Sequence, residues 1–270
     1  MKRIVFALVC LLVIAGMVFA GGRRDGAGEK LICGVTLFEP MNYLDSNGNW
    51  TGFDTEFAQA VGAKLGMQVE FQQIEWGRKF IELQAGTISC IWNGMTANVV
   101  DSVTGRQRYE DVDFTYSYML NQQAVVIRTS RAGDFRSLAN LVGKTVAAEA
   151  GSAGESIAKE AIGESGRFIG SSAQIDTFIE VKSGAVDFAM VDILLAEQLV
   201  GVGDNADLMI APIEMDAEVY AIGFSKGSPL VARVNRAIQE LFNDGTMSRL
   251  AQKYGLENTL KLDTTRIQDM

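Results

Sequence analysis

Four segments of this 270-residue chain carry residues that together can hold a small zwitterion: Leu37-Phe38-Glu39-Pro40, Asn93-Gly94-Met95-Thr96, Gly151-Ser152-Ala153-Gly154 and Val191-Asp192. A helix that opens on small residues presents free backbone N–H groups to a carboxylate. Ser152 adds a hydroxyl there, and Gly151 and Gly154 permit close approach. An arginine can hold the same carboxylate through two parallel hydrogen bonds. Asp192 can take an ammonium group, and Phe38 and Trp76 can sandwich a ligand side chain. None of this needs a nucleophile or a proton shuttle. The chain has no histidine, which excludes His-based catalysis and His-ligated metal sites, and the sequence calls for no metal and no cofactor.

Each of these residues also has a plainer role. Asp192 can simply cap the helix that follows it, and Gly-rich segments often only turn the chain. Trp76 and Trp92 suit a core as well as a ligand wall. The carboxylates Asp101, Glu110, Asp111 and Asp113 read as a solvated surface and lack the spacing of an EF-hand. Met41, Met95 and Met119 read as packing residues.

Only a particular set of elements brings these residues together. Strand and helix signals alternate, the pattern of an α/β fold with mostly parallel sheets. Leu31 to Thr36 reads as a strand, and Ser46 to Asn49 as a hairpin turn. Asp54 is placed to cap a helix carrying Phe53, Phe57, Val61 and Leu65, which Gly66 ends. Val69 to Ile74 is the next strand, and a helix near Arg78 to Ala85 leads through Gly86 to a strand at Ile88 to Trp92. A second set follows: strands at Ala124 to Arg128 and Thr145 to Ala148, a helix after Gly154, a helix at Phe178 to Ser183, and a strand at Val186 to Val191. Tyr220 to Phe224 is a later strand, followed by helices opened by Pro229 and at Met247 to Tyr254. Ligands of open α/β sheets sit beyond the carboxyl ends of strands. All four polar segments occupy such ends, so they are expected to face one cleft.

An internal similarity sharpens the architecture. Residues 80–89 (FIELQAGTIS) read against residues 178–187 (FIEVKSGAVD), with one shared glycine offset and matching apolar positions. This predicts the same helix–strand unit once in each of two similar lobes. Crossings are expected near Gln123 and Glu218 on two hinge strands, which would let a cleft open and shut. The expected divisions are 30–123 with 219–256 for the first lobe, 124–218 for the second, and 257–270 for a C-terminal tail.

Met1-Lys2-Arg3 and the apolar stretch from Ile4 to Ala20 have the parts of a secretory signal, with cleavage expected after Ala20 and a flexible leader over 21–29. The alternative, an uncleaved anchor, is at the short limit for a membrane span. The expectation is a periplasmic or extracellular protein, soluble once cleaved. Without Lys2 and Arg3 there are 22 Lys and Arg against 33 Asp and Glu, a net charge of −11. That acidity argues against nucleic acid as a partner. Only Cys33 and Cys90 survive cleavage; both lie in predicted strands of one lobe and can be a disulfide or two buried thiols.

Taken together, these motifs resemble the extracellular solute-binding proteins of ABC transporters for polar amino acids (family 3, type II fold). The likeness runs from Leu31 to about Leu256 through Asn47-Gly48, Gly52-Phe53-Asp54, Glu75-Trp76, Leu83 to Ile88 and Ile91 to Thr96. It continues through Asp113-Phe114-Thr115, Ser137-Leu138-Ala139, Ala150-Gly151-Ser152, Val191-Asp192, Ala221 to Phe224 and Asp244-Gly245-Thr246. The resemblance implies an aromatic cover at Phe38, a second wall at Trp76, and a ligand loop at Asn93, Gly94 and Thr96. It further implies a carboxylate-binding Arg108, a carboxylate loop at Ser152 and Ala153, and an ammonium-binding Asp192. The segment between Thr96 and Arg108 is longer than the family pattern, so Arg106 competes with Arg108 for the ligand. Glu149 falls at the pocket lip and would favour a cationic side chain, or belongs to a solvated rim.

The resemblance also implies a monomer that captures an amino acid and docks on an ABC permease. Two other functions fit the same fold. One is an exported enzyme like cyclohexadienyl dehydratase, for which Glu149 is the candidate general acid. The other is a receptor that signals in trans.

Overall fold

The computed structural model describes residues 29–270; the expected signal peptide and its cleavage point lie outside the described residues. One sheet has the order Gln68–Gln73, Lys30–Val35, Cys90–Ile91, Gly223–Phe224, Asp113–Phe114. The first three strands are parallel, and Gly223–Phe224 pairs antiparallel to both of its neighbours. Leu31, Cys33 and Val35 alternate inward and are covered by Phe53, Phe57 and Val61 of the helix Phe53–Leu65. That helix stops where expected, at a left-handed Gly66. Its start differs from the sequence expectation. Gly52 is the N-cap, and Asp54 lies on the buried face with Phe57 and Ala58. The Asp54 carboxylate therefore turns inward, accepting from Gly94 N at 2.6 Å and the Tyr118 hydroxyl at 2.9 Å.

The second sheet runs Leu208–Ile210, Ser117–Arg128, Phe188–Asp192, Thr145–Glu149, Arg167–Ser171. Its last three strands are parallel. Both copies of the internal similarity fold alike. The helices Lys79–Ala85 and Thr177–Ser183 each end at a glycine, Gly86 at φ 72 and Gly184 at φ 79, and each leads to a strand of its own sheet.

Ser117–Arg128 links the two sheets. Met119 to Gln122 pair antiparallel with Ala217–Tyr220, and Gln123 to Arg128 pair with Phe188–Asp192 and Leu208–Ile210. Residues 257–270, assigned above to a tail, contain the strand Leu260–Asp263, which pairs with Ser117–Arg128 on its other side. Cys33 and Cys90 are in register on neighbouring strands, both buried and both free thiols, with Sγ atoms 3.7 Å apart. Burial, then the neighbouring Cys90, pushes the Cys33 thiol well above its ordinary value. Among the described residues no helix is long and apolar enough to cross a membrane.

Candidate functional site

The two sheets point strand ends at each other. Trp92 to Thr96 follow the strand Cys90–Ile91, while Glu149 and Asp192 are the last residues of their own strands. Between them lies a narrow polar cavity of about 10 Å³, room for about one water molecule as the walls now stand. Trp76, Asn93, Gly94, Thr96 and Arg108 line it from one side, and Glu149, Ser152, Ala153, Gln174 and Asp192 from the other. Eight of the nine site residues expected from the sequence thus share one cavity. The ninth, Phe38, is not among its walls. Its ring is buried edge-on to Tyr220, with centroids 6.4 Å apart. It supports the Gly94 turn from behind: a Cβ on Gly94 would come within 2.6 Å of the Phe38 ring, and Gly94 has φ +53.

Asp192 occupies an N-cap position yet makes no side-chain cap. Its carboxylate accepts instead from Gln123 Nε2 at 3.1 Å, from Asn121 Nδ2 and from Gln174 Nε2. Ser152 caps its helix, accepting from Glu155 N at 3.0 Å. The Asn93 amide is used structurally, accepting from Thr36 N and Oγ1 at 3.0 and 2.7 Å. Trp92 is core, edge-on to Phe57 with centroids 5.0 Å apart.

The two arginines separate cleanly. Arg106 is exposed and points away from the cavity to pair with Asp111, whose side chain is largely covered. Arg108 is 1% exposed and lines the cavity. Its Nε donates to Asp101 Oδ2 at 3.1 Å, Nη1 to Thr96 O at 2.8 Å and Nη2 to Gly151 O at 3.1 Å. One N–H on each terminal nitrogen remains.

Asp101, expected on a solvated surface, is fully buried. It lies in the long segment before Arg108 and also meets Lys79 Nζ at 2.7 Å. Burial alone would raise its carboxyl, but the Lys79 and Arg108 charges hold it below the usual range. Lys79 was not singled out from the sequence. It is completely buried, donates to Gly151 O at 2.9 Å, and stands 5.5 Å from the Trp76 ring centroid. Burial, then the Arg108 charge, lowers it to about 8. Gln174, also unanticipated, holds Asp192 from both ends: its Oε1 accepts from Asp192 N at 2.8 Å, and its Nε2 donates to the carboxylate.

The halves touch at glycines. A Cβ on Gly151 would lie 2.5 Å from Gly77 Cα, so only a glycine fits where these backbones meet. Ser156 Oγ adds a bond to Val100 O at 2.8 Å. Carboxylates outnumber cations around the cavity: Asp101, Glu149, Asp192 and Glu218 face Lys79 and Arg108. Glu149 has an oxygen without a hydrogen-bond partner among the described residues. Burial, then the Asp192 charge, pushes its carboxyl to about 8. Such an arrangement suits a ligand that brings its own positive charge into a desolvated site.

Known proteins share this architecture. The chain is 27% identical to the arginine-binding extracellular protein ArtP of Bacillus subtilis, over 94% of this chain and 98% of that protein. An ancestral arginine-binding protein bound to arginine superposes with TM-score 0.77 at 30% identity, over 85% of this chain and 99% of that one. The ancestral amino acid-binding protein AncCDT-1, a precursor of cyclohexadienyl dehydratase, superposes with TM-score 0.73 at 27% identity, over 83% and 95% of the two chains. The model of the bacterial extracellular solute-binding proteins, family 3, matches residues 31–257, and this chain belongs to that family.

Proposed function

We propose that this protein is an exported component of an ABC importer that closes two lobes around one amino acid with a cationic side chain and delivers it to a membrane permease. The carrying observation is the charge layout: Arg108 from one side and Asp192 from the other line the same buried cavity. Arg108 takes the α-carboxylate through its two remaining N–H groups, beside the Ser152–Ala153 helix start. Asp192 takes the α-ammonium, and Glu149 takes the positive charge of the ligand side chain. Trp76 covers the aliphatic part. The arginine named for ArtP and for the ancestral structure agrees with the excess of carboxylates.

The lobes are 30–123 with 219–256, and 124–218, hinged on Ser117–Arg128 and Ala217–Tyr220. Closure follows the ligand because the contacts that hold it come from both lobes only when they meet. A thermal-shift screen of the purified mature chain over the amino acids tests the proposal. A ligand at roughly 100 times its dissociation constant stabilises by about 3 kcal/mol; L-arginine or L-lysine is expected to give that shift. The N-terminal residue of exported protein, expected to be Gly21, tests cleavage.

One observation favours a second function. Glu149 keeps its proton near neutral pH, the state a general acid needs. Incubation with prephenate or arogenate separates the two: product formed at enzymatic rates would favour catalysis, and its absence leaves binding.

A further inference from the structure

Glu218 takes no part in the ligand contacts proposed above, yet it shares two hydrogen-bond donors with Asp192. Asp192 pairs with Gln123, and Glu218 with Asn121, on opposite edges of the linking strand Ser117–Arg128. Asn121 and Gln123 are two residues apart in an extended strand, so their amides project to one face. Each amide then serves both carboxylates. Asn121 Nδ2 donates to Asp192 Oδ1 and to Glu218 Oε2, the latter at 2.7 Å. Gln123 Nε2 donates to Asp192 Oδ1 and Glu218 Oε2, each at 3.1 Å. Thr96 Oγ1 completes Glu218 at 3.0 Å. Among the described residues every one of these donors is neutral, and both carboxylates are buried.

Two anions in one buried network with only neutral donors repel each other with little screening. Either a proton or a cation must relieve them. The groups facing the pair supply no cation. Glu149 stands nearby on the strand Thr145–Glu149, Tyr220 on Glu218's own strand, and Tyr118 on the linking strand. Lys79 and Arg108 stand on the opposite wall, held by Asp101. Acceptor capacity is left over beside the pair: Asn121 Oδ1, Gln123 Oε1 and the Tyr220 hydroxyl have no partner among the described residues.

We propose that Asp192 and Glu218 form one ammonium subsite that holds a single proton when empty and releases it to solvent as the ligand's ammonium enters. The exchange balances: one carboxylic acid becomes a carboxylate, its proton goes to bulk water, and the arriving ammonium keeps all of its own. Glu218 is a positioning residue, acting through Asp192 and the shared amides. Burial, then the Asp192 charge, pushes the Glu218 carboxyl to about 7, in keeping with a proton on the pair near neutrality. Because proton and ammonium compete, ligand affinity rises with pH until the pair is fully ionised. This inference rests on the amino-acid-binding function proposed above and adds to it the proton and the part played by Glu218.

Calorimetry of the mature chain with L-arginine at about pH 6.5, in two buffers of different ionisation enthalpy, counts protons released. Wild type is expected to release about one proton more than Glu218→Gln. Glu149 is a second carboxyl that a cationic side chain can ionise, so the difference between the two proteins decides, and equal release overturns the proposal. A ligand-free measurement stands beside it. Glu218 is raised above its ordinary 4.5, so the stability it lends is full below that value and is lost as pH rises through about 7. Melting curves from about pH 5 to 8 should show wild type falling progressively behind Glu218→Gln. Parallel curves would contradict the shared proton. Absence of binding by every amino acid would instead defeat the binding function, while the melting curves still judge the proton.

Discussion

Arg108 Nη2 lies 3.1 Å from the carbonyl oxygen of Gly151, so a cation anchored on one side of the cavity grips the backbone of the other. Lys79 reaches the same oxygen at 2.9 Å. Both cations are also fixed by Asp101, whose buried carboxylate keeps them aimed across the cleft. Contact between the two walls is therefore wired to the arginine proposed to take the ligand carboxylate.

Removing either end of the proposed zwitterion clamp should abolish the ligand-induced thermal shift. Arg108→Ala and Asp192→Ala each delete a charged partner of a desolvated ligand, a loss of about 2–5 kcal/mol of binding. Arg106→Ala, at an exposed residue paired with Asp111, should keep the wild-type shift. Circular dichroism of the three proteins checks that the fold survives, and a retained shift in Arg108→Ala would remove that residue from the site.

Gly151→Ala should hold the cleft open. The added Cβ would lie 2.5 Å from Gly77 Cα, and φ +79 already disfavours any side chain there. Gly77→Ala is the control, since its Cβ would meet nothing closer than 3.6 Å. Small-angle scattering with saturating ligand should show compaction in wild type and Gly77→Ala, and none in Gly151→Ala.

Glu149→Gln should weaken selection for a cationic side chain. The variant keeps the size of the group and removes its capacity to ionise against the ligand. Preference for L-arginine over L-glutamine is expected to fall by about tenfold, or 1.4 kcal/mol. An unchanged ratio in competition binding would place Glu149 outside the specificity contacts.

Lys79→Met should weaken binding without touching the ligand. Removing Nζ leaves Asp101 to pair with Arg108 alone and deletes one of the two cationic grips on Gly151 O. Removing one partner of a buried ion pair usually destabilises a fold, and here Arg108 is left as the remaining cation on the Asp101 carboxylate. The expected outcome is a lowered melting temperature with the fold retained by circular dichroism, and about tenfold weaker affinity.

Legibility in the sequence followed the range of the interactions. The Gly66, Gly86 and Gly184 stops and the strand-end turns at Asn93 and Gly151 carry local signals, so the two-sheet plan and most cavity walls could be read directly. The partners of Asp192 and the burial of Asp101 could not. One takes a helix-cap position but is satisfied by amides of residues 121, 123 and 174; the other sits among surface-like carboxylates but meets Lys79 and Arg108 in the core. Lys79 drew no notice in the sequence because its partner Gly151 lies 72 residues away. Phe38 differed through packing: Tyr220, far along the chain, draws its ring behind the Gly94 turn.

Isothermal titration of the mature chain with each amino acid bears most directly on whether opposed walls grip one zwitterion. A dissociation constant of about micromolar or tighter for L-arginine or L-lysine is the expected result, lost in both Arg108→Ala and Asp192→Ala. Undiminished binding in both variants, or no heat with any amino acid, would contradict it.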